Sequence, residues 1–223
     1  MTPSYIEKPV INEEYVNPHA RLPYSLTVSE VIQAMQSTYD FLHDINAFLV
    51  GRNYPRLEDM FLGNSFAGLL SEVLVKNLGD ASQTLTPNLK VGGFPDLIGQ
   101  GQYPKNAVLR AEEGIEIKAS KQSGGWQGHN PEKGWYIIFR YQIDVESEPV
   151  QERFATYFVQ VLAAELQQSD WSFSGRVGQS RRTITASVTK GGMHKLRSNP
   201  IYQHPNFVVR SEIYSFATLG ISH

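Results

Sequence analysis

The stretch Gly114-Ile-Glu-Ile-Lys-Ala-Ser120 constrains the fold of this chain more than any other segment. Side chains alternate between faces along a strand, so Ile115, Ile117 and Ala119 point one way while Glu116, Lys118 and Ser120 point the other. The apolar face belongs in a core, which leaves a glutamate and a lysine side by side on the polar face. Upstream, Gly92-Gly-Phe-Pro-Asp-Leu-Ile-Gly99 reads as a short strand framed by glycine turns, with Pro95-Asp96 inside it. Pairing the two strands would bring Asp96, Glu116 and Lys118 together. The intervening residues 100–112 are long for a tight hairpin and read as an excursion near substrate. Glu112 and Glu113 compete with Glu116 as ligands, but only Glu116 opens an acid-x-lysine triplet inside the alternating strand.

Helical periodicity comes earlier in the chain. Thr27-Val-Ser-Glu30 supplies a capping box, followed by Val31, Ile32, Met35, Leu42, Ile45 and Leu49, and Gly51 can end that helix. A second helix is expected over Ser65–Leu78, with Asn64 as N-cap and Gly79 beyond its end. Glu72 lies beside its apolar stripe. Pro55 and the irregular stretch after it weaken a helical placement of Glu58 and Asp59. Later, 135–145 reads as a strand, 153–166 fits helix or strand, 183–188 is strand-like and 207–216 supplies a late strand. With no internal repeat, this order predicts an α/β fold: one mixed-sheet domain flanked by helices, spanning 26–223, after a proline-rich extended arm at 1–25.

The 223-residue chain has a net charge of −2 and is not basic overall. Its charge is uneven, however. Residues 171–210 contain seven Lys or Arg and no Asp or Glu, a +7 segment that leaves −9 elsewhere. Within it, Arg181, Arg182 and Lys190 stand among hydroxyl side chains able to reach phosphate oxygens or base edges. The loop Ser123-Gly-Gly-Trp-Gln-Gly-His-Asn-Pro131 follows the strand directly, and its Trp126, Gln127, His129 and Asn130 offer stacking and hydrogen bonding to a nucleic acid. The alternative is a glycine-rich turn anchored to the core by its tryptophan. The lack of cysteine excludes disulfides and thiolate chemistry. Phosphate-loop, zinc and G-x-S-x-G patterns are not found either. Met1–Tyr15 lacks the pattern of a secretory leader, and no window is apolar enough to span a membrane, so a cytoplasmic protein is expected.

Pro95, Asp96, Glu116, Ile117 and Lys118 together resemble the signature of the PD-(D/E)xK nuclease superfamily, to which most type II restriction endonucleases belong. The resemblance implies a restriction-endonuclease-like fold and hydrolysis of DNA phosphodiesters with Mg²⁺, or Mn²⁺ in its place. Asp96 and Glu116 would be metal ligands, and Lys118 would orient the attacking water or balance charge on the phosphate. In such proteins an acidic residue from the helix before the proline-aspartate strand often joins the site, which singles out Glu72. Cutting double-stranded DNA favours a homodimer, because two sites can address two strands. The same residues are compatible with a repair or recombination nuclease, and with a noncatalytic DNA-binding protein whose acids are structural.

Overall fold

A computed structural model describes residues 5–61, 63–128, 132–173 and 186–207. Helix α1 (Val28–Val50) begins with the expected reciprocal cap: Thr27 Oγ1 accepts from the Glu30 amide at 3.2 Å, and Glu30 Oε2 accepts from the Thr27 amide at 2.7 Å. It stops at Gly51 and buries Val31, Met35, Tyr39 and Leu42 along one stripe. The second long helix runs further than its sequence signals. After the short helix α2 (Leu57–Met60), helix α3 spans Asn64–Ala81 with Gly63 as its N-cap and no side-chain cap. Gly79 therefore lies inside α3 rather than past its end. A Cβ at this position would sit 2.4 Å from Cδ of Pro87, so the glycine serves close packing and not termination.

The strands are β1 (Leu85–Pro87), β2 (Leu97–Gly99), β3 (Ile115–Ser120), β4 (Gln127–Gly128), β5 (Gly134–Gln142), β6 (Tyr157–Leu166), β7 (Trp171–Phe173), β8 (Ala186–Val188) and β9 (Pro200–Gln203). Six of them form a mixed sheet in the order β1-β2-β3-β5-β6-β9, in which only β3 and β5 are parallel. Strands β4, β8 and β7 make a small antiparallel sheet. Of the ambiguous 153–166 region, Tyr157–Leu166 forms a strand, and both of its faces are buried, which erases the alternation that marks a half-exposed strand. A bulge opposite Arg140/Tyr141 lets Phe158, Val161 and Ala163 meet the helices while Leu162, Ala164 and Leu166 face the other way.

Two apolar layers follow. Helices α1 and α3 cover one face of the main sheet, packing Phe66, Leu70 and Leu74 against Ile115, Ile117, Ile137 and Phe139. The small sheet and helix α4 (Lys190–Arg197) cover part of the other face, where Trp126, Trp171, Met193 and Leu196 meet Tyr136 and Ile138. The candidate site opens along β3 and is lined by residues of β3, α3 and β4. Residues 5–25 follow an irregular path but do not hang free. Val16 bridges Tyr202, the Asn17 amide donates to Ile201 O at 2.9 Å, and Ile11 is buried.

Residues 186–188 of the expected 183–188 strand form β8, and 183–185 lie outside the described residues. The expected strand at 207–216 lies outside them from 208 onward, while Phe207 belongs to a turn, its amide donating to His204 O. Among the described residues, no helix is long and apolar enough to cross a membrane.

Candidate active site

Each chemistry-bearing side chain is placed by a local feature of the sheet. Strand β2 meets β3 through the single pair Leu97↔Ile115, then diverges. The Ile117 amide, beyond the reach of β2's backbone, donates instead to Oδ2 of Asp96 at 2.8 Å. A side-chain carboxylate thus completes the ladder, and the orientation of Asp96 is fixed as a result. Gly114 makes the close approach feasible: a Cβ there would lie 2.2 Å from Leu97 O and 2.4 Å from Cγ of Pro95, at a φ of +142°. On β3, Glu116 and Lys118 are same-face neighbours, and Lys118 Nζ donates to Glu116 Oε1 at 2.8 Å. Helix α3 is fastened alongside by Ser71, whose Oγ accepts from the Ala119 amide at 3.0 Å.

Glu72, Asp96, Glu116 and Lys118 all line one cleft of about 990 Å³, together with Ser120, Gln122 and Gln127. Its electrostatics are dominated by Asp96. Burial, and then the negative charge of Glu116, push the Asp96 carboxyl up to about 7. The Ile117 amide and Lys118 oppose that rise, and Glu72 adds a smaller upward push. The structure therefore gathers the four residues singled out from the sequence. Among the described residues, however, no three Asp, Glu or His side chains form a ready metal cage.

The remaining candidates separate. Trp126 is 3% exposed and belongs to the second core, with Nε1 donating to Gln122 O at 3.1 Å. Its ring packs in that core, as the anchoring role requires, and the residue also borders the cleft. Gln127 is exposed and lines the cleft. Lys190 is exposed at the start of α4 and is not among the residues that line it. His129, Asn130, Arg181 and Arg182 lie outside the described residues. Part of the basic segment is used internally: Lys195 Nζ pairs with Asp170 at 2.6 Å, and Arg197 donates to Ser123 O. Glu112 and Glu113 are exposed in the turn before β3 and do not line the cleft.

Glu58 is buried elsewhere, with Asp59 half-buried beside it. They sit in a helical turn, contrary to the irregular placement expected from Pro55, because Arg56 draws both acids inward. Asn46 and Thr156 complete the hydrogen bonding of Glu58.

One cleft residue carries no sequence signal. Glu132 pairs with Arg110 at 3.2 Å, and burial holds its carboxyl above the ordinary value, with Glu116 adding to the rise and Arg110 opposing it. It stands outside any motif and precedes β5 by two residues, so only the parallel placement of β5 beside β3 brings it in. Compared with family models and with curated proteins, the sequence matches none of either.

Proposed function

We propose that this protein is a divalent-metal-dependent endonuclease that hydrolyses phosphodiester bonds of duplex DNA, with a restriction-endonuclease-like site resembling the PD-(D/E)xK superfamily. The observation that carries the reading is the meeting of Asp96 with the Glu116–Lys118 pair at the divergence of β2 from β3, in an open cleft. The mixed α/β architecture, with the two long helices on one face of the sheet and α4 on the other, is compatible with it.

The donor set fits Mg²⁺ or Mn²⁺. Burial first, and the charge of Glu116 second, raise the Asp96 carboxyl, and a hard dication with oxygen preference would offset both. Asp96 and Glu116 would hold the ion, with Glu72 on α3 as a further oxygen donor and waters completing the shell. When bound, such an ion supplies Lewis acidity at the phosphoryl centre and neutralises charge on its oxygens. The protein's own part is positional and electrostatic. The Ile117 amide fixes the Asp96 carboxylate. Lys118, released from Glu116 toward a phosphate oxygen, balances the charge that grows during attack by water. Ser120, Gln122 and Gln127 line the cleft with neutral hydrogen-bonding groups suited to a nucleic-acid backbone.

Incubation of varied duplex DNA with the protein, with Mg²⁺, with Mn²⁺ and with EDTA, tests the proposal. Metal-dependent fragments with defined ends are expected. Intact DNA under every metal condition, with binding retained, would leave the noncatalytic reading instead.

A further inference from the structure

We infer that Arg140 and Arg197 form a phosphate-binding site beside the cleft, which takes a backbone phosphate of the nucleic acid near the one attacked. The inference rests on the nuclease reading for the source of that phosphate, but its evidence lies outside the acidic residues. Arg140, on β5, is 6% exposed; its Nε donates to Gln122 O at 3.0 Å and its Nη1 to Gln160 Oε1 at 2.9 Å. Arg197, at the end of α4, is half-buried and donates through Nη2 to Ser123 O at 3.1 Å. Two guanidinium groups thus clasp consecutive carbonyls of one turn, with only part of each five-donor fork engaged by these bonds. The partners are all neutral, as is the ring of Phe207, 5.6 Å from the Arg140 guanidinium.

Among the described residues, neither arginine pairs with an acid. The carboxylates of the surrounding elements are engaged elsewhere. Glu116 pairs with Lys118, Glu132 with Arg110, Glu165 with Lys133 and Asp170 with Lys195, while Asp144 accepts from the amides of Glu146 and Ser147. Lys121, in the same turn, is a further exposed cation. Arg56 shows the contrast, because it too is buried but is matched by Glu58 and Asp59. Burial, and then the charge of Arg197, bring Arg140 down to about 10, so it is still a cation at neutral pH. A buried cation that meets only neutral oxygens and a like charge is stabilised by an anion, and the guanidinium fork fits phosphate oxygens. The position selects a backbone phosphate. Arg140 stands opposite Ser120 in the register of β3 and β5, and Ser120, Lys121 and Gln122 line the cleft. From Lys118 to Ser120 the strand advances about 7 Å, the rise of about two nucleotides. A backbone lying along β3 with one phosphate at Lys118 therefore carries another to the arginines.

The test uses the full chain in EDTA, with Arg197→Gln as the variant. Duplex binding is measured across a salt series, and melting is followed in inorganic phosphate against chloride at equal ionic strength. Arg197→Gln is expected to bind duplex about tenfold more weakly. The slope of log affinity against log salt should become shallower by about 0.9, the share of one phosphate contact. Melting without ligand should match the wild type, because a repulsion with Arg140 is lost together with the bond to Ser123 O; should the variant melt early, Arg197→Met, which keeps the length of the stem, takes its place. Weaker binding with an unchanged slope would make Arg197 a clamp of the turn alone and overturn the site. Unchanged duplex binding, with loss of a protection that phosphate gives the wild type, would assign the arginines to free phosphate and overturn the backbone assignment. No change in either measurement would overturn the inference outright. If the variant behaves as expected but the wild type cuts no duplex with Mg²⁺ or Mn²⁺, the nuclease reading falls and the phosphate site stands. A wild-type chain that binds no duplex would remove both.

Discussion

Asp96 answers two demands at once, since its carboxylate completes the edge of β3 and also faces the charge of Glu116. Asparagine preserves the first role, because its carbonyl oxygen still accepts the Ile117 amide, and removes the second. Asp96→Asn is therefore expected to fold with a melting temperature equal to or above that of the wild type. Its metal-dependent cleavage should fall by about 10²-fold or more. A differential scan beside a cleavage assay checks both halves. Lys118→Ala separates chemistry from docking: turnover should drop by about 10²-fold, while duplex affinity measured in EDTA is little changed. Equal losses in both would turn Lys118 into a binding residue.

Among the elements, the joint between β2 and β3 is the least forgiving. Gly114→Ala would drive a methyl into Leu97 O and Pro95 at a backbone angle that L-residues rarely adopt, and should cost about 2–3 kcal/mol in urea unfolding. Thr27→Ala, which removes only the reciprocal cap of α1, should cost about 1 kcal/mol. Of Gly51 and Gly79, both expected to end helices, only the first does so. Gly51 ends its helix as a local signal says, whereas Gly79 is dictated by Pro87, a contact made through tertiary packing.

The same division runs through the site. Asp96, Glu116 and Lys118 were legible because a period of two in one short strand forces Glu116 and Lys118 onto one face. Glu132 was not, because nothing in its neighbourhood announces that β5 will lie parallel to β3. Helix α4 was hidden by its two glycines, and β9 by its shortness. The arginine-carboxylate cluster around Arg56 escaped notice because a proline beside it argues for a loop, while burial of Arg56 holds Glu58 and Asp59 in a turn of helix.

Across the molecule, Asp59, Asp144 and Asp170 contribute to the acid limit of stability, beside Glu30 and Asp40, which are also lowered. Burial by itself would raise Asp59, Asp144 and Asp170. Hydrogen bonds outweigh it, from Arg56, Tyr5 and Arg153 to Asp59, from backbone amides including Ser147 to Asp144, and from the Gln167 amide and Lys195 to Asp170. All three carboxyls consequently lie below their ordinary value. A group depressed on folding contributes fully above its unfolded pKa, about 4 for aspartate, and loses that contribution as pH falls toward the folded value. Unfolding midpoints in urea should thus be flat with respect to these groups from about pH 5 upward and drop steeply below about pH 4. Asp170→Asn should soften that drop while lowering stability at neutral pH, because Lys195 loses its partner.

The single-pair contact between β2 and β3 has a further consequence, in the order in which the molecule comes apart. Strands β1 and β2 lie at the edge of the main sheet, whereas β3, β5 and β6 form its densely bonded centre. Edge units open before the centre in native-state exchange. The amides of Leu97 and Ile117 should therefore take up deuterium well before that of Ile137. The three tryptophans at 126, 135 and 171 pack in the two cores and report the collapse of the sheet's centre, not the opening of this joint. In a denaturant series, cleavage should vanish while tryptophan emission is still native, so that the protein falls silent before it loses its shape.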